Sequence, residues 1–259
     1  HYSPTASTEQ YLLQGPNRQS RIACDMSEYH LHTHFSELHS VLRKTSVLLI
    51  LFAAMWTTTS TSIINEWASS LSYANSGSGM AIYSPMDWVE VRWTLVLLLS
   101  ALSALPIFSI LLYRFMRPGL FREERKWIFT VLSCFSVIAP LASIAIWTVG
   151  VSTAFSLAES FGTISGVENR YDITQIVSLS IGITWIFLVS SITAISLSMS
   201  RLMLGSESDN TRFRIRILLI STGVLILTLP VVYDGLRIAL SVAAVLFADI
   251  SSKIVPVRR

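Results

Sequence analysis

The chain has 259 residues, 52% of them apolar and only 14% charged, with a mean hydropathy of +0.57. An average soluble domain carries roughly 25% charged residues, so this composition excludes a disordered chain and argues against a soluble monomeric globule. Two cysteines, Cys24 and Cys134, cannot make a disulfide framework. The net charge of +3 and the pI near 9 point to nucleic acid or to a membrane, and the placement of the basic residues decides between them.

Residues 1–26 are rich in Ser, Thr, Gln, Pro and Tyr and show no apolar period. No apolar core of a secretory signal is present. A start at His rather than Met fits a chain processed after loss of a targeting leader. Such a polar stretch is disordered when free and orders on a partner. Residues 1–28 are therefore read as a polar extension lying against other subunits. From residue 29 to 44 the pattern becomes amphipathic, with Leu31, Phe35, Leu38 and Leu42 on one helical face, as in an interfacial helix. His30 and His34 share the other face, and histidines so spaced can hold a metal. No second cluster of His, Cys or carboxylate completes a site, so no metal is expected.

A transmembrane helix needs about 20 mostly apolar residues. Four uncharged stretches satisfy this: 46–64, 93–113, 127 to about 155, and 173 to about 199. The final apolar stretch, 215 to about 251, is broken by Pro230 and by Asp234-Gly235. It reads as two short helices, 215–229 and 236–251, joined by a hairpin, and short spans are tolerated where the bilayer thins or neighbours shield them. The spacing predicts an all-α protein with six membrane helices over residues 45–253 and a basic tail over 254–259.

Of the 19 lysines and arginines, all but Arg92, Arg170 and Arg237 fall on alternating loops. That is a positive-inside pattern. It places both termini on the cytoplasmic, matrix or stromal side and makes the basic pI a consequence of topology, so no nucleic-acid partner is expected.

The loop between the second and third spans reads Phe115-Met116-Arg117-Pro118-Gly119-Leu120-Phe121-Arg122-Glu123-Glu124-Arg125-Lys126. Two carboxylates in a basic loop either hold a guanidinium partner in a bidentate grip or neutralise their own neighbours, and spacing alone leaves both open. Ionisable residues within membrane helices are functional candidates. Only Asp234, Arg237 and Asp249 qualify, all near helix ends, and Asp234 and Arg237 are spaced to pair across one turn. Gly77-Ser78-Gly79 lies across the membrane from every histidine, so its serine lacks a general base. No catalytic residue and no cofactor is expected.

These features resemble the TatC family, the six-helix core of the twin-arginine protein translocase. The resemblance rests on His34-Phe35-Ser36-Glu37-Leu38 before the first span, Pro106 inside the second, and a loop with Phe115, Pro118, Leu120, Glu124 and Arg125 at the family spacing. It covers roughly residues 29–253. It implies a concave helix bundle in which Glu37 and Glu124 receive the paired arginines of a signal peptide, with Phe115, Pro118 and Arg125 shaping the loop. It also implies an extramembrane cap from residues 65–87 and 156–172. Pro106, Pro230, Asp234 and Arg237 would then be structural. The implied partners are membrane lipid, single-span Tat subunits and twin-arginine signal peptides, with the proton gradient as driving force.

The sequence also departs from the family. His39 and Val41 stand where arginines are expected, the fourth helix has Ile192-Thr193 near its usual glutamate, and the motif after the fifth helix survives only as Thr228-Leu229-Pro230. These departures suit an alternative, a TatC-derived structural subunit of a large inner-membrane assembly such as a respiratory complex. The expected location is the mitochondrial inner membrane, before the thylakoid or a bacterial plasma membrane.

Overall fold

A computed structural model describes residues 18–70, 80–119, 121–161, 171–203 and 207–253, with side chains over 36–70, 81–118, 121–122, 124–154, 156–157, 172–201 and 211–253. The described residues form two units, divided between Ser46 and Val47. Residues 1–17, the 77–79 turn, Arg170, the 254–259 tail and the side chains of His30 and His34 lie outside the described residues.

Helix α1 runs unbroken from Arg18 to Ser70, where the sequence suggested a polar extension, an interfacial helix and a span as three pieces. No proline or glycine occurs over residues 18–70. The change from polar to apolar composition near Lys44 therefore alters the solvent of the helix without interrupting its hydrogen-bond ladder.

The second unit is built from five further helical rods. Helix α2 spans Pro85–Met116. Ser84 caps it by accepting the Asp87 N–H at 3.3 Å, and Pro85 occupies the first turn, where its missing N–H costs nothing. Helix α2 stays continuous through Pro106. Helix α3, Arg122–Ala145, passes through a π turn, Ile146–Gly150, into helix α4, Val151–Phe161, making one long span. Helix α5 spans Ile173–Met203, α6 Glu207–Thr228 and α7 Arg237–Ser252. Pro230 opens a 3₁₀ turn, Val231–Tyr233, and Gly235 at φ +88° completes the hairpin into α7.

Among the described residues, four stretches are long and apolar enough to cross a bilayer: Ser36–Ser70, Pro85–Met116, Glu124–Ala154 and Ile173–Arg201. Each helical region extends a turn or more beyond the apolar run, because the flanking polar residues continue the ladder into the headgroup zone. Two two-residue strands, β1 (Met80–Ala81) and β2 (Tyr171–Asp172), pair in parallel and join the segments that precede α2 and α5.

Ile64, Leu98, Ala139, Val177 and Ile181 from four rods form the main core. Polar ties within it are sparse and specific. Trp56 Nε1 donates to Ser103 Oγ at 2.9 Å, and Arg92 reaches from α2 to Ser60 Oγ at 3.1 Å and the Thr57 carbonyl at 2.9 Å. Trp67 Nε1 donates to the Trp147 carbonyl at 2.9 Å, and Trp147 Nε1 donates to Thr184 Oγ1 at 3.1 Å.

The α6–α7 hairpin is seated on α5 through Tyr233. Its hydroxyl donates to the Leu179 carbonyl at 2.7 Å, and its ring fills the place where a Cβ on Gly182 would be, 2.1 Å from Cε2. Asp234 and Arg237 pair at 2.9 Å beside the turn, and Arg214 of α6 pairs with Asp249 of α7. Many outward-facing side chains are large and apolar, Leu227 and Phe247 being 85% and 69% exposed, and exposed hydroxyls such as Thr58 and Thr148 bond to carbonyls of their own helix, as a lipid-facing surface requires.

Two variants test these seats by thermal unfolding in detergent, followed by tryptophan fluorescence. Gly182→Ala is expected to cost about 1–3 kcal/mol by overpacking. Combined with Tyr233→Ala, it adds nothing to the loss from Tyr233→Ala alone. Asp249→Asn is expected to cost on the order of 2 kcal/mol, below the roughly 3–5 of a fully buried pair, because Arg214 keeps 32% of its side chain accessible.

Candidate functional site

The ends of α2, α3 and α5 meet at one end of the second unit, where Ile128, Leu132 and Met199 pack with Met116 and Trp127. Tyr113 and Phe129 stack edge-to-face at 5.1 Å beneath the connecting loop. The loop above this core carries the motif residues. Phe115 is half-buried in the last turn of α2, and Pro118 is exposed in the 3₁₀ turn Arg117–Gly119. Leu120 lies outside the described residues, as does the side chain of Glu123.

Helix α3 begins at Arg122 with Phe121 as its cap residue. Phenylalanine has no side-chain acceptor to offer the first turn, so half of the usual reciprocal cap is missing. Glu124 supplies the other half: its Oε2 accepts the Phe121 N–H at 3.2 Å. The half-buried carboxylate is thereby fixed at a helix N-terminus, where negative charge is favoured. Arg125 folds back, donating from Nη2 to the Arg117 carbonyl at 3.0 Å, while its Nε is buried without a partner. The structure therefore brings Pro118, Glu124 and Arg125 into one compact turn, with Phe115 at its base. Glu37 belongs to the first unit and occupies an exposed position on α1.

Beside this loop lies an apolar groove of about 540 Å³, bounded by Leu112 and Met116 of α2, Thr193 and Met199 of α5, and Phe213 and Ser221 of α6. Thr193 is 1% exposed, and its Oγ1 lies 2.7 Å from both the Val189 carbonyl oxygen and Ser221 Oγ. A neutral hydroxyl pair thus bridges α5 and α6 at the position where the family resemblance led us to expect a glutamate. At the opposite end, a pocket of about 260 Å³ is bordered by Asp87, Glu90 and Asp172. Asp172 is engaged in capping α5, accepting the Thr174 N–H at 2.9 Å.

Sequence reasoning missed the longest-range contacts. Asp249 stood out as an intramembrane acid, but its partner Arg214 is 35 positions away. The Thr193–Ser221 bridge had no signal beyond two hydroxyl residues among many.

The sequence matches the family described as Sec-independent protein translocase protein (TatC) over residues 33–240. No curated protein matches the chain. Two solved structures are similar, both crystal structures of the twin arginine translocase receptor TatC. The first has 15% identity and a TM-score of 0.61, covering 85% of this chain and 96% of that one. The second, crystallised in the detergent DDM, has 14% identity and a TM-score of 0.57, covering 86% of this chain and 99% of that one. The family match spans most of the chain, and the solved TatC structures share its fold: this protein is a member of the TatC family, an integral membrane component of the Sec-independent translocase type.

Proposed function

We propose that this protein is the signal-peptide receptor of a twin-arginine translocase, working without catalytic chemistry and with single-span Tat subunits as partners. The observation that carries this reading is Glu124. It is a carboxylate set in place by the Phe121 N–H within a loop whose other charged neighbours are mostly Arg and Lys. A planar carboxylate can accept two parallel N–H bonds from a guanidinium, which a lysine cannot supply. The solved TatC structures, named as receptors of the twin arginine translocase, support the same role. Glu37 would contribute a second carboxylate, and Phe115, Pro118 and Arg125 would give the loop its shape. The proton gradient would drive translocation of the folded cargo.

The basic residues of the second unit favour the α2–α3 loop end as the cytoplasmic or matrix side. The polar residues 1–28 support an organellar membrane, the mitochondrial inner membrane first.

A second reading draws on a different observation. The Thr193–Ser221 pair is neutral, so the groove offers no mid-membrane carboxylate there for a transport step. A TatC-derived structural subunit of a larger inner-membrane assembly, with residues 1–28 contacting its neighbours, would need none.

A twin-arginine peptide is expected to bind the purified protein at least about tenfold more tightly than the twin-lysine version, a difference of 1.4 kcal/mol. Glu124→Gln should abolish that preference while leaving the unfolding temperature within a few degrees. No binding, or equal binding by both proteins, removes the receptor assignment and leaves the structural-subunit reading. Co-migration on native gels with single-span Tat subunits alone would count against that second reading. In a cysteine-free background, Arg122→Cys and Met86→Cys should label from opposite sides of sealed vesicles.

A further inference from the structure

Phe121 is the one aromatic residue between Met116, where the second apolar stretch ends, and Glu124, where the third begins. It is 69% exposed. A single exposed ring is ordinary on a protein surface, so its placement has to carry the argument. The Phe121 N–H donates to Glu124 Oε2 at 3.2 Å, and the Cβ that bears the ring is two bonds from that nitrogen. The hydrogen bond that fixes the carboxylate therefore also sets an exposed aromatic ring next to it. Phenylalanine is a poor choice for this position on grounds of helix stability. As the cap residue of α3 it makes no side-chain cap bond, where Ser, Thr, Asp or Asn would accept an N–H from the first turn. Such breaks with a local rule concentrate at functional sites.

Ring and carboxylate suit different sides of one cation. A guanidinium is planar, with N–H donors directed outward in its plane and weakly hydrated faces that stack on aromatic rings. It can donate from its edge to a carboxylate while one face lies on a ring. An ammonium is a compact, strongly hydrated point charge with no flat face. A carboxylate alone attracts either cation, whereas a carboxylate with a ring beside it favours arginine.

Membrane anchoring is the competing use of such a ring. An anchor needs apolar volume rather than a π face, and Trp and Tyr, not Phe, are the side chains enriched at the headgroup level. We infer that Phe121 is a specificity-determining residue of the Glu124 loop, its ring stacking on an arginine guanidinium that donates to the Glu124 carboxylate. The inference rests on the receptor reading above and adds to it a second group that separates arginine from lysine.

The test is titration calorimetry of the full-length protein in detergent with the twin-arginine and twin-lysine peptides, comparing the wild type with Phe121→Leu, Phe121→Tyr and Glu124→Gln. Leucine keeps the backbone N–H and much of the apolar volume but removes the π face. In Phe121→Leu, twin-arginine affinity should fall about two- to fivefold, with twin-lysine affinity little changed and the unfolding temperature within a few degrees of wild type. Phe121→Tyr keeps the ring and should keep the wild-type preference. A trifluorinated phenylalanine at position 121 has nearly the same shape with a drained ring quadrupole, and it should weaken arginine binding as leucine does. An arginine preference lost in Glu124→Gln but intact in Phe121→Leu would overturn the role of the ring and leave the receptor reading standing. An equal loss of both peptides in Phe121→Leu would also overturn it, making Phe121 an apolar contact. A wild type without any arginine preference removes the receptor reading, and this inference with it.

Discussion

Inside a bilayer every backbone carbonyl needs a donor from the protein itself. Where the third span passes through a π turn, an indole N–H from another helix donates to one of its carbonyls. The π turn at Ile146–Gly150 changes the hydrogen-bond ladder of the third span. There the Trp147 carbonyl takes the indole N–H of Trp67 from α1, while the Trp147 indole donates to Thr184 of α5. The two rings also meet edge-to-face at 5.0 Å. A single position thus fixes three rods. Gly182, two residues from Thr184, receives Tyr233 and with it the α6–α7 hairpin. Helix α5 is therefore the hub, and its small residues let both neighbours approach closely, as in other membrane bundles.

The ties at one end of that hub leave the other end free for polar work. Arg92, the Trp67–Trp147 contact, the β1–β2 pairing and the Ser84 cap lie toward the start of α2 and α5. The opposite end carries the motif loop, the apolar groove and the Arg214–Asp249 pair. Its charges are predominantly basic, so a carboxylate held there by its own backbone stands out electrostatically. Glu124 is that carboxylate. The groove beside it carries the neutral Thr193–Ser221 pair between α5 and α6.

Hydropathy made the spans legible, because lipid demands long uncharged runs, and Pro230 with Asp234-Gly235 marked the final hairpin. The motif loop was legible because Phe115, Pro118, Glu124 and Arg125 are close in sequence and their geometry is local. Helix α1 was not legible as one piece. Composition reports the solvent around a helix, whereas continuity depends on the absence of breakers over residues 18–70. The Trp67–Trp147 contact, the Tyr233–Gly182 seat and the Thr193–Ser221 bridge were hidden for another reason. Each depends on residues brought together from 28 to 80 positions apart and is written in common residue types.

The central claim is that the α2–α3 loop receives a paired-arginine signal. Site-specific photocrosslinking measures this most directly, with a photoreactive residue at Pro118 in membranes bearing the intact protein. The account predicts a crosslink to a cargo signal peptide that disappears when its two arginines become lysines or when Glu124 becomes glutamine. A crosslink indifferent to both changes, or crosslinks only to subunits of another membrane complex, would contradict it.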